Sequence, residues 1–104
     1  MPRKADRSQI LKEAWIGDAV LCLYARRRIL SEEDRIDAPK AERMTSNQFL
    51  SVFKEASETE AEIGRIYERD GLDAAFAWIE ANLMPIHVRQ EAKRRRRLGV
   101  VSEA

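Results

Sequence analysis

One cysteine, one histidine, three prolines and four glycines stand in a chain of 104 residues. Each scarcity excludes something. The single cysteine, Cys22, rules out an intrachain disulfide and is compatible with a reducing cytoplasm, where the protein is expected. Cys22 lies in an apolar run and reads as a small packed hydrophobe. The single histidine, His87, rules out a multi-histidine metal site, and no Ser–His–Asp arrangement is signalled. Following Pro85 closely, His87 is expected at the surface. There is no P-loop and no G-x-G-x-x-G fingerprint. No apolar stretch is long enough to span a bilayer and no signal peptide stands out, so no membrane partner is expected. Neither an alternating strand pattern nor an internal repeat is seen.

What remains is charge on helix-forming sequence. The chain is 36% charged and 44% hydrophobic, which fits one helical domain with a modest core. That domain is expected over 1–98, with 99–104 a frayed tail. The formal net charge of +1 hides an uneven distribution. The stretch from Glu55 to Glu80 is acidic. Cations gather at Arg3, Lys4 and Arg7, at Arg26-Arg27-Arg28, and at Lys93-Arg94-Arg95-Arg96-Arg97. The result is two or three basic patches and one acidic face.

The punctuation predicts five or six short helices in an all-α bundle. A first helix spans about Gln9 to Leu30, with Ser8 as N-cap and the three arginines near its C-terminus. Its apolar residues cover almost the whole circumference, so it is expected at the centre of the fold or at a subunit interface. An acidic connector follows from Ser31 to Ile36. Asp37 is placed to cap a short helix with Pro39 in its first turn. Thr45-Ser46-Asn47-Gln48 reads as a capping box, with Phe49, Leu50 and Phe53 facing the core. Ser57-Glu58-Thr59-Glu60 reads as a second box, and its helix stops at Asp70-Gly71. From Leu72 to Leu83 the pattern turns Ala75, Phe76, Ile79 and Leu83 inward. Pro85 starts a last helix, which carries the basic run.

Against that background Asp18 is anomalous. It lies inside Ala14-Trp15-Ile16-Gly17-Asp18-Ala19-Val20-Leu21-Cys22-Leu23-Tyr24-Ala25, where every other residue is apolar or glycine. A carboxylate there loses hydration and needs a cation, a metal ion or a proton. Trp15, Tyr24, Phe76 and Trp78 are expected to pack in the core or an interface.

A second acid shares the pattern, in Glu60-Ala61-Glu62-Ile63-Gly64. Glycine inside a helix costs about 1 kcal/mol relative to alanine and is usually kept for close backbone approach. Helices crossing at Gly17 and Gly64 would bring Asp18 and Glu60 together. Two close carboxylates call for a divalent cation, and oxygen ligands favour Mg2+ or Mn2+. The plainer alternatives are an ion pair for Asp18 and a capping role for Glu60, reaching back to the Ser57 backbone.

These residues resemble a known family. Ala14 to Leu21 is similar to the signature helix of the ribonuclease III family, in the form found in the short bacterial Mini-ribonuclease III branch. Arg43-Met44-Thr45-Ser46-Asn47 loosely echoes the next helix. Glu60 to Tyr67, followed by Asp70 to Ala75, resembles the second acidic motif and the helix after it. The likeness implies an all-α endonuclease domain acting as a homodimer on double-stranded RNA, with no DNA partner expected. It implies Asp18 and Glu60 as catalytic metal ligands for Mg2+ or Mn2+. In the Mini-ribonuclease III branch the substrate is a ribosomal RNA precursor. Lys40, Arg43, Lys93, Arg94, Arg95, Arg96 and Arg97 are the candidate RNA contacts. The chain departs from the pattern in one large respect: the segment between Asp18 and Glu60 is shorter than in either branch. That departure favours the other expectation, a non-catalytic RNA- or ribosome-binding protein with the same fold.

Overall fold

The computed structural model describes residues 7–99. Helices α1 (Arg7–Glu33), α2 (Ala38–Arg43), α3 (Asn47–Leu50), α4 (Ala56–Asp70), α5 (Leu72–Asn82) and α6 (Met84–Arg97) follow in order. The all-α expectation holds. Of the tail expected over 99–104, Gly99 is described, at φ 78°, and the rest lies outside the described residues, as do Arg3 and Lys4.

α1 is the central helix and packs most extensively against α4. Two of its expected boundaries change. It already includes Arg7, so Ser8 is a helical residue and not the N-cap. It also runs a turn beyond Leu30, into the expected connector. Arg28 donates to Glu32 across one turn at 3.0 Å, supporting that extension. Asp34, at φ 57°, then turns the chain.

The short helices obey their local signals. Asp37 accepts from the Lys40 backbone N–H at 3.1 Å, and Pro39 lies in the first turn of α2. Ser46, one residue later than the start of the expected box, caps α3 by accepting from Phe49 N–H at 3.1 Å. Thr45 is occupied elsewhere, donating to the Ala41 carbonyl at 3.0 Å.

The Ser57 capping box is overturned. Glu55 is the N-cap residue of α4, and Ser57 is already helical. Buried Thr59 explains the earlier start: its hydroxyl lies 3.1 Å from the Glu55 carbonyl and 3.4 Å from that of Lys54. That contact secures the first turn from inside, and Glu60 is left a full turn within the helix. Gly71, at φ 98°, ends α4 where expected, with its N–H on the Tyr67 carbonyl.

Leu21, Met44, Leu50, Ile63, Ile79 and Leu83 are fully buried. Each such side chain is worth about 1.5–3 kcal/mol. Tyr24 meets Phe76, and Phe53 meets Trp78, both edge to face. Trp15 instead is 79% exposed, so within one chain it is not a core residue. His87 is the opposite correction: it is buried, with its ring edge-on to Phe49 at 6.3 Å. Met84 and His87 lie three residues apart, so the face of α6 that buries one buries the other. Burial pulls the imidazole pKa below its ordinary value.

Candidate functional site

α1 and α4 cross antiparallel on two glycines. A β-carbon on Gly17 would overlap the Glu60 carbonyl oxygen and lie 2.9 Å from the Gly64 nitrogen. One on Gly64 would overlap the Glu13 carbonyl oxygen and lie 3.1 Å from the Gly17 nitrogen. Backbone thus meets backbone, with no flexible side chain able to move aside. This close approach sets Asp18, next to Gly17, against Glu60, one turn before Gly64.

The two carboxyl groups meet at that crossing, each half-buried. Burial pushes the Glu60 carboxyl up to about 7, helped by the negative charge of Asp18 and by a hydrogen bond between the two side chains. The pair therefore holds a proton near neutral pH. Cys22, one turn after Asp18, places its thiol 3.9 Å from the Asp18 carboxylate. Burial, then the nearby Asp18 charge, raises the thiol pKa and keeps it a neutral neighbour.

No lysine or arginine forms an ion pair with Asp18 or Glu60 among the described residues. The ion-pair alternative for Asp18 therefore finds no partner there. The cations near the crossing serve other acids. Arg65 joins Glu13 at 2.7 Å, tying α4 to α1, and also approaches Glu62 at 3.6 Å. Lys54 reaches Glu62 at 3.6 Å. The capping alternative for Glu60 also fails, because the helix begins four residues earlier.

The other expected contacts separate into groups. Lys40 is held by Glu33 at 2.6 Å. Arg43 makes two hydrogen bonds to Glu91, at 2.8 and 3.2 Å, which joins α2 to α6. Lys93, Arg94 and Arg97 share one face of α6 and line a groove of about 400 Å³ facing α3. Arg43 and Glu91 also line it. Arg95 and Arg96 are exposed and do not line it. Two further residues of that groove, Gln48 and Gln90, were not among the expected contacts. The spacing of Gln90, Lys93, Arg94 and Arg97 is that of a single helical face and was a usable signal.

A second concavity, of about 550 Å³, lies between α1 and the α2 region and is lined in part by Cys22, Ile29, Leu30 and Ile36. Leu11, Trp15, Leu23 and Leu30 are exposed apolar residues on one side of α1, with exposed Lys12 and Arg26 among them.

The fold and site thus define an all-α domain whose helix crossing joins two carboxylates without a protein cation among the described residues. No known protein family, curated protein or solved structure matches the chain.

Proposed function

We propose that this protein is a Mg2+- or Mn2+-dependent endoribonuclease of the ribonuclease III type, acting as a homodimer on double-stranded RNA. The observation that carries the reading is the Asp18–Glu60 pair at the glycine crossing. A half-buried carboxyl that retains a proton to about 7 beside another acid is a place where a divalent cation can replace that proton.

The donor set fits a hard ion. Among the described residues, no group of three or more His, Cys, Asp or Glu side chains gathers in metal-binding fashion. Mg2+ needs no such cage, because it commonly takes one or two carboxylates and keeps several waters. Asp18 and Glu60 would hold it through oxygen. When bound, the ion would stabilise charge on phosphoryl oxygens and lower the pKa of water. The chain's own contribution is positional: the crossing fixes both carboxylates on rigid helices, and Arg65–Glu13 braces the junction.

The dimer belongs to the same proposal. Exposed Trp15 and Leu11 lie on the helix that carries Asp18, and a second copy would cover them. A ribosomal RNA precursor is the first substrate to try, following the resemblance.

The test is incubation of the full chain with a long RNA duplex and Mg2+. The expected result is internal cleavage that EDTA stops and that Asp18→Asn lacks. Tight RNA binding without cleavage, by a protein whose stability ignores Mg2+ and Mn2+, would instead favour the non-catalytic RNA-binding reading. The short segment between the two acids, with only two small helices in it, supports that second reading.

A further inference from the structure

The groove between α3 and α6 has a lining that phosphate contact alone does not explain. Three cations on it, Lys93, Arg94 and Arg97, form no ion pair among the described residues. Arg43 is different, because Glu91 already takes both of its hydrogen bonds. Glu91 stays anionic, since the hydrogen bond from Arg43 lowers its pKa. It limits the net positive charge of the groove at that end.

Two carboxamides, Gln48 on α3 and Gln90 on α6, line the same groove. Val52 adds an apolar patch, more than half exposed. A carboxamide offers both donors and an acceptor, the combination that reads base edges and sugar hydroxyls. Inside an RNA duplex the Watson–Crick edges are paired and the deep, narrow major groove bars side chains, which leaves only the minor-groove edges and 2′-hydroxyls within reach. The Watson–Crick edge is the one that carries both donors and acceptors on every base. That edge becomes available where a strand is unpaired. A guanidinium plane can also stack on an unpaired base.

We infer that the α3–α6 groove holds an unpaired nucleotide of an RNA strand. Lys93, Arg94 and Arg97 take its flanking phosphates, and Gln48 and Gln90 take the Watson–Crick edge of its base. The inference rests on the RNA reading above and uses none of the residues at the Asp18–Glu60 crossing. It separates the basic run into two parts: Lys93, Arg94 and Arg97 belong to the groove, while Arg95 and Arg96 lie outside it.

The experiment compares a blunt RNA duplex with the same duplex carrying a short unpaired overhang. Binding is read by fluorescence anisotropy of the full chain in EDTA, which prevents cleavage, over a salt series. The overhang duplex is expected to bind about tenfold more tightly, roughly the net worth of one or two hydrogen bonds. Gln48→Ala with Gln90→Ala should erase that preference and leave blunt-duplex binding unchanged. Circular dichroism would verify the fold. Arg94→Ala with Arg97→Ala should flatten the salt slope for the overhang duplex by about 1.4, at about 0.7 per single-strand phosphate.

Equal binding of blunt and overhang duplexes by the native chain would overturn the inference. So would variants that weaken both duplexes alike, which would make the groove a general backbone contact. A parallel cleavage assay separates the two readings. Cleavage without overhang preference removes only the groove inference. Preference without cleavage supports the groove and removes the nuclease reading. Binding of neither RNA removes both.

Discussion

The carbonyl oxygen of Glu60 occupies the space that a β-carbon on Gly17 would need. The Glu13 carbonyl does the same at Gly64, so the contact is reciprocal. Two such contacts one helical turn apart fix the register of α1 against α4. A slip by one residue would turn either Asp18 or Glu60 away from the other, since each step rotates a helical side chain by about 100°.

The first expected outcome concerns these glycines. Gly17→Ala and Gly64→Ala should each destabilise the fold, although alanine alone favours helix by about 1 kcal/mol. The clash is with backbone and cannot be relieved by a rotamer change. Overpacking of this kind costs about 1–3 kcal/mol or more, and a backbone clash this close lies at the upper end, so it outweighs the helix gain. Thermal melts should fall by several degrees, roughly 4–8 °C per kcal/mol lost. An unchanged melting temperature in either variant would mean the helices do not cross this closely.

A second outcome follows from the proton at Glu60. Its pKa is raised from 4.5 to about 7 in the fold. The folded state therefore binds this proton more tightly than the unfolded chain does. The resulting destabilisation is absent below about 4.5, grows as pH rises towards 7, and is complete above it. His87 acts in the other direction: its lowered pKa removes stability as pH falls below its ordinary 6.5. A difference measurement separates the two. Glu60→Gln should gain on the native chain as pH rises from 5 to 8 (the change in their melting-temperature difference being the observable). A constant difference would mean that Glu60 is an ordinary exposed carboxylate.

The crossing was legible because glycine inside a helix is unfavourable and asks for a reason. The pairing of Asp18 with Glu60 followed from two such glycines beside two acids. The start of α4 was not legible. Ser57-Glu58-Thr59-Glu60 satisfies a capping pattern, but Thr59 is buried and turns its hydroxyl back on the Glu55 and Lys54 carbonyls within the first turn of α4. Nor was the burial of His87, whose ring meets Phe49 of α3 edge-on. The Arg43–Glu91 bond was equally hidden, because it joins segments 48 residues apart. Local signals thus placed turns and faces well, whereas side chains whose partners are remote in sequence had to be seen in the fold.

Divalent ions supply a third outcome. If Asp18 and Glu60 hold a metal, Mn2+ or Mg2+ should raise the melting temperature, and more at pH 8 than at pH 6. The ion must displace the proton held to about 7, so its apparent affinity rises with pH. Asp18→Asn should stabilise the metal-free protein by relieving repulsion, and abolish the shift with metal. RNA binding should be nearly intact, while cleavage falls on the order of a thousandfold or more, since the ion supplies several kcal/mol of charge stabilisation. An Asn variant that loses most of its fold would point instead to a buried ion pair, whose rupture costs about 3–5 kcal/mol.

The last outcome concerns Trp15. A tryptophan 79% exposed on α1, one turn from exposed Leu11 and on the same side of the helix as Leu23 and Leu30, is a large apolar surface facing water. Covering it in a second copy would bury that surface on both chains, and a two-fold axis across α1 would use the same residues twice. Light scattering at micromolar concentration should therefore give twice the chain mass. Trp15→Lys should halve it, because a charge placed in an apolar interface loses hydration without gaining a partner. The same variant should keep the helical circular dichroism, since the indole supports no core within one chain. Its fluorescence offers an independent reading: the native emission should shift to longer wavelength on dilution, as the indole becomes wet, while Trp78 stays in contact with Phe53. A native chain that scatters as a monomer, with emission independent of concentration, would remove the dimer from the proposal and leave the carboxylate pair to be judged alone.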